Sequence, residues 1–203
     1  MTEYNDVLEF WFGDPNGDNF GEYREIWFEK DRAFDTEIRT RFGKDLARAS
    51  AGNYDAWETS PLGTLALIVM LDQFSRNIFR GLPKAFAADA KARSIARQVI
   101  DQGIDRDFLA VQRLFIYLPF EHSELLEDQE FSVELFENLG LEASIEAAID
   151  HRNIIKKFGR FPYRNKALGR PSTPHEEDFL LDPPPWGKTK AEMDELQRIR
   201  NRD

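Results

Sequence analysis

Cysteine is absent from the 203-residue chain, which excludes disulfides and thiolate chemistry and fits a reducing compartment. Positive charge is in short supply: the formal net charge is −10, so the general field repels nucleic acid and anionic lipid surfaces. Long apolar runs are missing as well. The longest, Leu65 to Leu71, falls far short of the roughly 20 residues that span a bilayer. The opening MTEYNDVLEFWFG has no basic leader region, and no Asn-x-Ser/Thr acceptor occurs, so a cytoplasmic setting is expected. Neither glycine-rich phosphate loops nor HExxH, GxSxG or the Glu-x-x-His pairs of di-iron bundles are present. Sustained strand alternation is lacking too, which leaves helical patterning as the dominant signal.

What is present centres on TSPLGTLALIVMLDQFSRNIFRG, residues 59 to 81. Ser60 is a good N-cap and Pro61 suits the first helical position, so a helix is expected to begin here. Its first half has no solvated face and reads as enclosed by protein. In its second half Asp72, Gln73, Arg76, Asn77 and Arg80 fall within an arc of roughly 140° at about 100° per residue, opposite Leu67, Leu71, Phe74 and Ile78. A buried helix thus carries a polar stripe. Either the helix emerges into water, or other segments or a ligand partner those groups, because unpaired buried charge is costly.

Along the chain, residues 3 to 12 place Tyr4, Val7, Leu8 and Trp11 on one helical face. Residues 21 to 52 are helical, with a restart at Asp31 or Asp35. Phe10, Trp11, Trp27, Phe28 and Trp57 read as core aromatics. Helices are expected at 89–102, at 107–118 up to Pro119, at 128–139 and at 142–158, with His151 central on the apolar face of the last. Thr173-Pro174-His175-Glu176 is a capping box that opens a short helix. Asp182 to Gly187 is expected to be extended, and Thr189 to Asp203 a polar helix. The reading is an all-α domain of antiparallel helical hairpins over 1–187, with a C-terminal tail over 188–203.

Two constellations could carry chemistry. Glu121, His122 and Glu124, meeting His151 and Asp72 in space, suit acid–base work, or two His with a carboxylate suit a metal, although the spacing is not diagnostic of one. The alternative is a satisfied core histidine with carboxylates paired to arginines. Separately, between His151 and Pro171 there is no acid, but there are seven cations: Arg152, Lys156, Lys157, Arg160, Arg164, Lys166 and Arg170. Lysines at a helix end suit its dipole. Arginines on a proline-bounded loop suit a bidentate grip on carboxylate or phosphate.

The blocks DVLEFWF (6–12), LDQFSRNIFRG (71–81), LPFEHSE (118–124) and FGRFPYRNKALGRPST (158–173) resemble the signature of a bacterial family, domain of unknown function 924, over about residues 4–187. The resemblance implies a compact tetratricopeptide-like array of helices, without a visible 34-residue repeat, and no assigned activity. Its motifs single out Asp72, Gln73, Arg76, Asn77, Arg80, Glu121, His122, Arg160, Pro162, Arg164 and Asn165.

Together these features lead to one expectation. The chain is an enzyme or a binding protein in which Asp72, Gln73, Arg76, Asn77, Arg80, Arg160, Arg164 and Asn165 hold a small phosphate- or carboxylate-bearing molecule, and His122, His151 and Glu121 are the candidate acid–base groups, with no cofactor and no metal. The alternative is a tetratricopeptide-like module in which arginines clamp an acidic peptide or serve structure alone.

Overall fold

The computed structural model describes residues 2–182 and 184. No strand occurs among them. Chain order is α1 (Tyr4–Phe12), α2 (Arg32–Ser50), α3 (Pro61–Ile68), a π-helical segment (Val69–Phe74), α4 (Ser75–Ile78), α5 (Asp89–Asp101), α6 (Ala110–Glu121), α7 (Leu126–Leu139), α8 (Glu142–Phe158), α9 (Asn165–Leu168) and α10 (Pro174–Leu181). Short 3-10 turns at Glu25–Trp27, Asp55–Thr59, Pro83–Phe86, Ile104–Asp107 and Pro162–Arg164 link them. Of the segment expected to be extended, 182–187, only residues 182 and 184 are described, and the expected C-terminal helix, 189–203, lies outside the described residues.

The element α3–π–α4 is the hub. Ser60 Oγ accepts from the Gly63 N–H at 3.0 Å, Pro61 occupies the first turn, and every residue from Gly63 to Ser75 is buried. Helices α1, α5 and α6 pack around α3, α2 flanks α4 and the π segment, and α6, α7 and α8 stack in sequence through short turns. The main core runs through α1–α8, and a smaller cluster of Ile154, Ile155 and Phe161 lies under the basic loop. Trp11 and Trp27 are buried in an aromatic layer with Phe12, Phe34, Phe74 and Phe115. Phe28 departs from the core expectation. It is 46% exposed, lying flat over Phe115 at the edge of that layer with Tyr23 stacked on it.

Proline 119 does not end its helix. Helix α6 runs through it to Glu121 because the proline sits in the last turn, where only the Phe115 carbonyl loses an N–H partner. The Gln129 side chain from α7 then caps the helix end, donating to the Glu121 and Ser123 carbonyls. The extra turn has a structural consequence. It places Glu121 inside the molecule and His122 at the helix terminus, facing the hub.

Candidate active site

The π segment carries the first half of the polar stripe. The Ser75 N–H reaches back five residues to the Met70 carbonyl, which widens the helix and seats Asp72 and Gln73 in the interior. Single π turns of this kind recur at functional sites. Asp72 is only 1% exposed, yet it is held on three sides. His122 Nδ1 lies 2.9 Å from both carboxylate oxygens, Arg76 Nη1 is 2.8 Å from Oδ1, and Gln73 Nε2 donates to Oδ2 at 2.7 Å. Burial pushes its carboxyl upward, but Arg76, His122 and Gln73 outweigh burial and bring it down to about 2. Asp72 is therefore an anion.

Its neighbours titrate the other way. Burial, reinforced by the charge of Asp72, raises Glu121 to about 8, so this carboxyl keeps its proton at neutral pH. Burial and the Arg76 charge lower His122, with Asp72 opposing them, which leaves the imidazole neutral. With Nδ1–H donated to the Asp72 carboxylate, the lone pair of His122 sits on Nε2. His151 Nδ1 donates to the Ala147 carbonyl at 2.8 Å and lies 3.4 Å from Glu121 Oε1; burial depresses this imidazole to about 3. The last residue of α6 and the one after it thus pair crosswise, Glu121 with His151 and His122 with Asp72.

Two arginines complete the cluster. Arg76 forks onto Asp89, with both contacts at 3.0 Å. Arg164 comes from the basic loop: its Nη1 is 3.7 Å from the same Asp89 and its Nη2 donates to the His122 carbonyl at 2.9 Å. Its guanidinium lies 4.6 Å from both the Phe86 and Phe161 rings, and its Nε has no hydrogen-bond partner. Tyr163 adjoins both arginines, and burial drives its phenol up to about 12. The site's charges balance, with Asp72 and Asp89 against Arg76 and Arg164.

The other residues expected at the site lie elsewhere. Asn77 and Arg80 turn to Asp35 of α2, Arg80 forking onto it at 2.7 Å, because a stripe roughly 140° wide faces two different neighbours. Arg160 forks onto Glu176 and donates to the Pro171 carbonyl, while Asn165 bridges Arg170 and Ser172. Three further participants are Asp89, Phe86 and Tyr163: Asp89 stands in the sequence as an acid at the start of the 89–102 helix, Phe86 lies outside the quoted blocks, and Tyr163 lies within the 158–173 block but not among the residues its motif singles out. Among the described residues, no group of three or more His, Asp or Glu could hold a metal ion. Nor is any helix among them long and apolar enough to cross a membrane.

Comparison with known proteins places these observations in a family. A family model described as bacterial protein of unknown function (DUF924) matches residues 7–184. A solved structure of a protein of unknown function from Agrobacterium tumefaciens is 36% identical and superposes with a TM-score of 0.79, over 89% of this chain and 97% of that one. No curated protein matches the chain.

Proposed function

The chain belongs to the DUF924 family of bacterial proteins of unknown function, and we propose that in it Asp72, His122 and Glu121 form the acid–base centre of an enzyme acting on a small anionic molecule. One observation carries the reading. A neutral histidine is fixed by an ionised aspartate, and the residue before it in the chain is a carboxyl that stays protonated at neutral pH. Environments that split two carboxyls so widely are a recurrent way of assigning an acid and a base at one pH.

His122 Nε2 takes a proton from the attacking group, Asp72 stabilises the imidazolium that forms, and Glu121 is the proton donor. Arg76 and Arg164 steady the substrate's negative charge. Hydrolysis or group transfer at a phosphate or carboxylate ester is the reaction class that uses this set. The small-anion reading is favoured over an acidic-peptide clamp because Arg80 and Arg160 are engaged with Asp35 and Glu176, whereas Arg164 retains an unused buried donor.

Long-range nitrogen NMR of the imidazoles at pH 7 and turnover of nitrophenyl phosphate and carboxylate esters test this together. The expected result is a neutral His122 protonated on Nδ1, with activity lost by about 10²- to 10⁴-fold in His122→Ala. A charged His122 at pH 7, or wild type no faster than the variant on every ester, would count against it.

A further inference from the structure

Resting on that reading, the structure points to a closed state of the site: we propose that residues 81–89 form a strap whose Asp89 carboxylate sits in the seat of the substrate's anionic head. A carboxylate or phosphate arriving from solution then displaces it.

Two guanidiniums from distant parts of the chain converge on the Asp89 carboxylate, which is the arrangement that binds an external anion bidentately. As an internal ligand Asp89 fills the seat incompletely. It satisfies Arg76 at 3.0 Å, but Arg164 Nη1 stays at 3.7 Å, beyond hydrogen-bond distance. A free carboxylate or phosphate, not tied to the start of a helix, can close that gap and gain a charge-assisted hydrogen bond.

The strap itself is built to move. It begins at Gly81, whose φ of +78° and open surroundings allow a hinge. As far as Ala87 its backbone hydrogen bonds are local: Leu82 N–H to the Phe79 carbonyl, Ala85 to Leu82, and Ala87 to Lys84. At its far end the Ala92 N–H donates to the Ala88 carbonyl, so the strap moves by loosening the first turn of α5. No side chain caps the start of α5, since Ala88 occupies the N-cap. Leu82 and Lys84 face solvent, and the buried anchors are small, Ala85 and Ala88. The larger anchors are Asp89 and Phe86, and both rest on the arginines themselves, Phe86 at 4.6 Å from Arg164 and 6.0 Å from Arg76. Of the contacts that hold the strap down, those of the Asp89 carboxylate are the ones an anion would replace.

Chemical rescue tests the idea. Asp89→Ala and the isosteric Asp89→Asn are melted in chloride, acetate and inorganic phosphate at matched ionic strength. Both variants are expected to melt below wild type in chloride. Acetate or phosphate should recover roughly 5 °C over a hundredfold rise in concentration, while wild type responds less because its seat is filled. Adding Arg164→Gln to Asp89→Ala should abolish the recovery. Hydrogen exchange of residues 82–89 in wild type, faster in phosphate than in chloride, gives a second readout that needs no variant to fold. Variants that melt alike in all three salts, or unchanged exchange in wild type should neither variant fold, would overturn the proposal. The tautomer of His122 is untouched by these measurements, so failure of the strap and failure of the acid–base centre are told apart.

Discussion

Glu121 illustrates how one residue can oppose stability in order to hold a proton. Its folded pKa of about 8 lies above the ordinary value of 4.5, so the unfolded chain ionises first and stability falls as pH rises from about 4.5 through 8. His151 and Asp72 act in the opposite sense. Their folded values, about 3 and about 2, lie below the ordinary 6.5 and 3.8, so their contribution is complete above those values and is lost as pH falls toward the folded ones. The expected stability maximum therefore lies between about pH 4.5 and 6.5. Glu121→Gln keeps the shape without the ionisation. It should stabilise the protein at pH 8–9 by on the order of 2–5 kcal/mol, at about 1.4 kcal/mol per pKa unit, while leaving pH 4 unchanged. Urea unfolding across the pH range checks both statements, and a variant no more stable than wild type at pH 9 would show that Glu121 ionises freely in the native state.

At the scale of the element, the hub helix combines a tight beginning with a loosened middle. A Cβ at Gly63 would come within 2.3 Å of the Trp57 carbonyl oxygen and 3.1 Å of its carbon, so the first turn of α3 lies directly on the backbone of the preceding 3-10 turn. Backbone cannot step aside as a side chain can. Gly63→Ala should therefore lower stability by about 1–3 kcal/mol, visible as an earlier denaturant midpoint at unchanged slope. Further along, the π segment rotates the polar groups relative to a regular helix, and it lies where the hub meets both α5 and α6. Stripe residues 72, 73 and 76 join the buried cluster around His122, and residues 77 and 80 tie the hub to α2.

Across the whole molecule, the basic loop is fastened before it can deliver Arg164. Arg170 forks onto Glu124 at 2.7 and 2.9 Å and also donates to the Phe161 carbonyl and Asn165, while the Phe161 N–H donates to Glu124. Arg160 and Glu176 clamp the same loop to α10. Removing one clasp should loosen the arginine it positions. Arg170→Ala is expected to cost about 1–3 kcal/mol and to speed hydrogen exchange across residues 160–170, with the anion response of the site weakened. Exchange that stays at wild-type rates would mean that Arg164 is held by its own contacts with His122, Asp89 and the aromatic rings, without the clasp. The cations that stand out as an acid-free run in the sequence are thus largely used within the fold, because acids from α5, the α6–α7 turn and α10 come to meet them.

Periodicity, capping residues and turn glycines were enough to determine the all-helical class, the buried hub and the start of most helices, since those properties depend on local torsion and on which face is apolar. The meeting of Asp72 with His122, and the placing of Glu121 inside, required helix α6 to run past Pro119, which depends on a cap from α7 that no local pattern encodes. Which arginines share a site was likewise decided only in three dimensions. Charge acts through space, so Asp89, an unexceptional acid at a helix start, becomes the partner of Arg76 and Arg164 once packing brings α5 against the hub.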